Sequence, residues 1–382
     1  MTSSWSHLAK ANFAVITVLT LCSCGMGDVK PLPENTFIKG YAEWAYAAYM
    51  DSVSSARDLR LMIAEFLDHP SEDSLSRVKQ TWLAAREDYG KTEAFRFYGG
   101  PVDGFDGPEG RINAWPLDES YIDYVAGAPE SGLINQVTVD INRELLVAAN
   151  ERGGEQNISL GYHAIEFLLW GQDHSSDGPG NRSWSDYVSA TPNADRRALY
   201  LKLTATQLVE DLESVAAQWA PNKDNYRHTF ESYDPNEALR LIFTGLGTLA
   251  RAELAGERLE VALLTLHQED EHSCFSDNTH RDIVNNIAAI AIIWNGHESG
   301  VGLRQLVAMR APDYLHGLDR ALNRVAAAGS SIQPPFDQEI LGGQDGRGPE
   351  RIEVLISSLR DFSRLLANTA GAMEIGPFGM SL

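Results

Sequence analysis

Apolar residues recur at three- and four-residue steps along most of the chain, and the alternation of a half-buried strand is nearly absent. That pattern predicts helices. Phe37, Tyr41, Trp44, Ala48, Leu59, Ile63 and Phe66 mark a first helix over 36–68, which stops at His69-Pro70. Ser71 is placed to cap a second over 71–97. The stretch from Gly99 to Gly110 (GGPVDGFDGPEG) is too rich in Gly and Pro for helix, and ordered loops of that length are often functional. The helical period resumes over 118–127, 131–150 and 159–170. Residues 173–193 are polar, rich in Gly, Ser and Pro, and aperiodic. Beyond them helices are predicted at 194–219, 235–271, 278–295, 301–310, 313–328 and 349–373, with a Pro/Gly loop over 334–348. The expected fold class is all-α: two helical-bundle halves, 36–172 and 194–382, packed together and joined by a 173–193 linker. No close repeat relates the halves.

The first residues follow a different rule. A polar start, Met1 to Lys10, leads into the apolar run Ala11 to Leu21, too short to span a bilayer as a mature helix. Leu21-Cys22-Ser23-Cys24-Gly25 then has the layout of a lipoprotein signal, with residues 1–24 as the signal peptide and Cys24 as the lipidated residue. Residues 25–35 read as a tether. The expected location is the bacterial envelope, anchored by lipid, facing the periplasm or the cell surface.

Composition narrows the function. Apolar residues make up 43% and charged residues 22% of 382, ordinary for a globular chain. A formal charge of −22 argues against nucleic-acid binding, which needs clusters of Lys and Arg. It suits attraction of cations, and a solvated acidic surface equally. Of three cysteines, Cys22 and Cys24 fall in the leader, leaving Cys274, so neither a disulfide framework nor a cysteine zinc cluster is available.

Chemistry-bearing residues concentrate in three places. His163 and Glu166 lie one turn apart on the helix predicted at 159–170, among Ile165, Phe167, Leu168, Leu169 and Trp170. An imidazole and a carboxylate so placed can bind one metal ion, or can form a structural hydrogen bond in a buried helix. Trp82, Arg86, Tyr89, Glu93 and Arg96 share a second stripe, either a buried ion-pair network or a charged cluster facing His163. Asp118, beside Glu119, is a helix cap or a further ligand. In the second half the run from Gln268 to Asp282 (QEDEHSCFSDNTHRD) is dense in metal-capable side chains; His272, Asp277 and His280 are its secondary candidates. His-Glu-x-x-His, Gly-x-Ser-x-Gly, Walker and dinucleotide motifs are all missing from the sequence, as is a haem-attachment Cys-x-x-Cys-His.

Gly161-x-His163-x-x-Glu166, running into Phe167-Leu168-Leu169-Trp170-Gly171, resembles the signature of the imelysin-like proteins. Three further stretches resemble their iron-regulated protein A branch: 86–97 ending in Thr92-Glu93-Ala94-Phe95-Arg96-Phe97, then Gly107 to Tyr124, then Glu269 to Asn286. The resemblance implies a two-bundle helical fold with the motif near the interface of the halves, and an envelope protein linked to iron uptake. Some members are classed as metallopeptidases. On this reading His163, Glu166, Glu93 and Asp118 are candidate ligands for iron or another divalent metal, and Arg86, Arg96, Tyr89 and Gly161 line the site for a metal-bearing ligand. No catalytic residue is assigned. Such a protein is expected to work with an outer-membrane uptake partner; the alternatives are a metal-dependent peptidase and an interaction module with a structural His–Glu pair.

Overall fold

The computed structural model describes residues 34–175, 178–296 and 302–376; the leader, Cys24 and the tether up to residue 33 lie outside them. The described residues form helices and no strand, apart from one isolated bridge between Val125 and Ala128. α1 (Glu34–Asp68) buries the stripe that runs from Phe37 to Phe66. α2 (Glu72–Tyr89) begins at Ser71 with a reciprocal cap: Ser71 Oγ accepts from the Ser74 N–H, and Ser74 Oγ accepts from the Ser71 N–H. α3 (Glu109–Ile112), α4 (Glu119–Ile122) and α5 (Arg143–Ala149) are short. α6 (Gly161–Trp170) is buried at every residue. α7 (Ala194–Trp219) lies along α1, and α1 also packs on α2.

After α8 (Tyr226–Ser232) the chain makes one long helical run: α9 (Pro235–Thr248), a π-helical stretch from Leu249 to Glu260, and α10 (Val261–Thr265). α11 (Thr279–Asn295), α12 (Leu303–Arg310), α13 (Pro312–Gly329), α14 (Phe336–Leu341) and α15 (Gly348–Ala372) complete the fold. α15 packs against α13, α9 and the π stretch, and α11 packs on α13 and on the turn that follows α2. No described helix is long and apolar enough to cross a membrane.

Four expectations are corrected. The helix predicted over 71–97 ends at Tyr89 and tightens into a 3-10 turn from Gly90 to Phe95. Gly90 sits so close to α11 that a Cβ there would lie 2.7 Å from the Asn285 Cβ. The 118–127 helix is one turn, α4. The 131–150 helix is a 3-10 turn at Leu133–Asn135 and then α5, with turns and irregular chain between. Arg196 of α7 replaces the lost helical hydrogen bonds by donating to the carbonyls of Leu133, Ile134, Gln136 and Val139. The 334–348 loop contains α14.

Candidate functional site

α6 is held from three sides. The Trp82 indole N–H of α2 donates to the Tyr162 carbonyl at 3.0 Å, and the Tyr187 hydroxyl donates to the Leu168 carbonyl at 2.6 Å. At its start Gly161 adopts φ +90°, and a Cβ there would fall 2.6 Å from the Ile112 carbonyl oxygen. Only glycine combines that backbone with so close an approach. Gly161→Ala is therefore expected to lower unfolding free energy by about 2–4 kcal/mol, read by urea denaturation. An unchanged midpoint would show that α6 can shift away from α3 at little cost.

From this helix His163 and Glu166 point inward, both buried, with His163 Nδ1 and Glu166 Oε2 2.8 Å apart. Glu166 Oε1 accepts from the Ser276 N–H at 2.9 Å and from its hydroxyl at 2.6 Å. Opposite stands a second, similar trio. His272 Nδ1 is 2.8 Å from Asp282 Oδ2, which also accepts from the Ser273 hydroxyl. The two imidazole rings meet edge to face with centroids 4.8 Å apart. The two rings nevertheless differ on their far edges. His272 Nε2 receives the Asn113 amide at 3.3 Å, whereas His163 Nε2 is buried without a hydrogen-bond partner among the described residues.

Arginines close the arrangement. Arg86 donates through Nε and Nη2 to Asp282 Oδ1, and through Nη1 to Asn113 Oδ1. Its guanidinium lies among the rings of Trp82, Tyr89 and Tyr162, 5.0–5.7 Å from their centroids. Glu93 is gripped by Arg96 at 2.8 Å and by Arg258 of the π stretch at 2.9 Å; Arg258 in turn holds Asn286 and Glu253. Arg96 also reaches Glu109.

Charge states follow from burial and these partners. Burial, reinforced by Arg86, holds His163 well below its ordinary value, and burial with Arg258 lowers His272 to about 3, so both imidazoles are neutral. Burial raises Glu166 to about 8 even though the Ser276 donors favour its ionised form. For Glu93 burial pushes upward, but Arg96 and Arg258 outweigh it and bring the carboxyl to about 2. Asp282 is likewise held low by Arg86 and His272 against its burial.

The remaining candidates are placed elsewhere or otherwise engaged. Asp118 caps α4, accepting from the Ser120 N–H at 2.9 Å and from its hydroxyl. The Tyr89 hydroxyl has no hydrogen-bond partner among the described residues; its ring serves Arg86. His280 is half-buried, with its Nδ1 3.2 Å from the Asp277 carbonyl oxygen. Asp277 takes φ +58°, and burial with the neighbouring Asp173 and Asp337 raises it to about 7. Asn113 lies in the Gly107–Tyr124 stretch without standing out there, and Arg258 lies in none of the stretches that carry the resemblance. Asp282 and Asn286 had a usable signal, since they share the buried stripe of α11 with Ile283, Ile287 and Ile290.

This donor set does not fit a metal ion as it stands. Glu166, Asp282 and Glu93 are committed to serine, imidazole and guanidinium donors, which leaves His163 Nε2, among the described residues, as the unengaged ligand atom of the trios. Metal sites need three or four converging ligands. No three His, Cys, Asp or Glu side chains among the described residues are grouped to hold one.

Comparison with known proteins locates this architecture. Iron-regulated protein A of Synechococcus elongatus is 22% identical over 340 residues, 85% of this chain and 82% of that protein. Among solved structures, one named as an iron-regulated protein A precursor from Parabacteroides distasonis superposes with TM-score 0.68 at 16% identity, covering 91% of this chain and 97% of its own. An imelysin-like protein from Psychrobacter arcticum gives TM-score 0.64, also at 16% identity, covering 88% and 95%. Those two likenesses establish the all-α fold. The sequence model of the Imelysin family matches residues 45–366, and with that span, 322 of 382 residues, the chain belongs to the imelysin family.

Proposed function

We propose that this protein is a non-enzymatic component of the bacterial envelope that serves iron acquisition, with the Gly161-x-His163-x-x-Glu166 motif as the buried joint of its binding architecture. The observation that carries the reading is the full commitment of Glu166, Asp282 and Glu93 to internal donors. A metallopeptidase needs three protein ligands, an open coordination position and a general base. Here one carboxylate–imidazole pair meets another, and guanidinium groups engage Asp282 and Glu93. The link to iron rests on the name shared by relatives of this chain, which describes those proteins as iron-regulated. The envelope location rests on the leader, on Cys24 as a lipid anchor, and on the word precursor in the name of the Parabacteroides protein. An outer-membrane uptake partner fits that placement; the chain's charge of −22 argues against nucleic acid.

One observation favours a second reading, direct binding of iron or another divalent metal. It is the bare, buried Nε2 of His163, the atom a metal would take first. Metal content and iron titration of the purified protein, beside His163→Ala and Glu166→Ala, separate the two. We expect no stoichiometric metal in any of the three, no chelator-sensitive cleavage of a peptide substrate, and a loss of about 2–4 kcal/mol of stability in each variant. Stoichiometric iron that both variants lose while remaining folded would establish metal binding at the motif. Chelator-sensitive proteolysis would overturn the non-enzymatic reading.

A further inference from the structure

The Gly/Pro-rich stretch that follows the 3-10 turn folds into a braced loop. Asp103 accepts from the N–H groups of Phe97 and Gly100. The Gly104 N–H donates to the Gly100 carbonyl at 2.7 Å, Gly107 to Gly104 at 2.8 Å, and Glu109 to Val102 at 3.0 Å. A Cβ on Gly107 would collide with the Val102 carbonyl, so glycine is what lets the chain double back there. Val102 and Pro108 are buried within the loop. Phe105 at its tip is fully exposed, more so than any other large apolar side chain among the described residues. Lone apolar residues on a surface are ordinary. A backbone this tied down, holding a phenyl ring out, is pre-organised for contact.

The loop stands close to the start of α1. Its Tyr98 hydroxyl lies 3.2 Å from the Tyr41 hydroxyl, two turns into α1 and about 10 Å from Glu34. Phe230 stacks on Tyr41, and Tyr226 and Tyr233 flank it, both half-buried. Glu34 and Asn236 share Arg310, so α1 and α9 begin side by side, with Tyr233 just ahead of α9. Burial raises the Tyr226 phenol, and Tyr233 and Asp103 raise it further, which puts the loop beside this cluster. The end of the fold at which α1 begins therefore carries Tyr98, Tyr226 and Tyr233 as a half-buried aromatic rim, with Phe105 standing clear of it. Glu34 is ten residues from Cys24, the expected lipidated residue, an extended reach of about 35 Å.

We propose that this loop is a membrane-contact tip: Phe105 enters the interfacial zone of a zwitterionic bilayer, Tyr98, Tyr226 and Tyr233 lie toward the headgroups, and the loop and the lipid chain together fix one orientation. The inference rests on the lipid anchor at Cys24 proposed above. An acyl anchor alone leaves the protein free to swivel, and one phenyl ring alone binds too weakly to hold it. A tethered ring meets the surface at high effective concentration. Aromatic side chains favour that zone. Asp103 is held by backbone donors and Glu109 by Arg96, but Asp106 is exposed at the tip. With a chain charge of −22 it opposes an anionic surface, and that sign selects zwitterionic lipid.

The test uses the lipidated protein purified from membranes and reconstituted into phosphatidylcholine vesicles, with and without bromine on the upper acyl carbons. Wild type is compared with Phe105→Trp and Val137→Trp. Val137 is also exposed but lies beside the start of α7, about 35 Å along that helix from Trp219, the neighbour of Tyr226. The emission that Phe105→Trp adds over wild type should fall by roughly half or more with brominated lipid, and that added by Val137→Trp should not change. Phosphatidylglycerol in place of phosphatidylcholine should weaken the quenching. Urea midpoints matching wild type establish that both variants are folded. Equal quenching at the two positions would overturn the assignment. So would a sedimentation mass of two chains that Phe105→Asp returns to one, which would give the tip to a second copy. The mass of the purified chain reports lipidation at Cys24 separately. An unlipidated chain would remove the anchor and the tip together, whereas a lipidated chain with unquenched Phe105→Trp would remove the tip alone.

Discussion

Arg86→Met will lower the unfolding free energy by about 3–5 kcal/mol, the scale for breaking a buried ion pair from one side. Arg86 and Asp282 are each about 1% exposed and join α2 to α11. Methionine fills much of the volume but leaves Asp282 Oδ1 without its two guanidinium donors and Asn113 Oδ1 without the Nη1 donor. The carboxylate is then buried with only Ser273 and His272 as partners. The double variant Arg86→Met/Asp282→Asn distinguishes this cause from simple loss of packing. An asparagine keeps an acceptor for His272 and Ser273 while removing the stranded charge, so the double variant should recover part of the loss. A double variant less stable than Arg86→Met by the full cost of the second change would mean that the ion pair contributes nothing specific, and that the aromatic cage around the guanidinium carries the effect.

How much of this could be read in the sequence depends on the range of the interaction. Apolar spacing is local, and it located α1, the 194–219 helix and α11 to within a residue or two. The same reasoning overextended 131–150, where the apolar positions are compatible with helix. Four distant carbonyl contacts from Arg196 favour another path, and no window of neighbouring residues contains Arg196. The Trp82-Arg86-Tyr89-Glu93-Arg96 stripe stays buried even though the α-helix stops at Tyr89, because the 3-10 turn continues on roughly the same face. Partner choice was not legible. Spacing does place Glu93 beside Arg96, which it meets, but in the fold Arg86 turns to Asp282 and Glu93 also to Arg258, at separations of 196 and 165 residues.

The second large effect is a pair of opposite pH dependences built into the facing trios. His272 titrates near 3 in the folded protein and near 6.5 in an unfolded chain. Between those values the unfolded state binds the extra proton, so the contribution of neutral His272 is complete above pH 6.5 and is lost as pH falls. Glu166 works the other way. Its folded carboxyl titrates near 8 against about 4.5 when unfolded, so its contribution is complete below 4.5 and is lost as pH rises through 8. Asp277, raised to about 7, adds to the Glu166 trend, so the wild-type curve alone mixes the signs. Differences from variants separate them. Relative to His272→Asn, wild type should lose about 2–3 kcal/mol between pH 6.5 and 4.5, two pH units at roughly 1.4 kcal/mol each. Relative to Glu166→Gln, it should lose a similar amount between pH 5 and 7. Urea midpoints across pH 4–8 give both slopes, and imidazole proton shifts should show His272 still neutral at pH 4.5. Parallel curves for wild type and His272→Asn would mean that the ring takes up its proton while folded, and that the joint between α6 and α11 tolerates a charge. The two opposite slopes cancel at about pH 5.5, so either variant alone would understate how strongly burial controls this site.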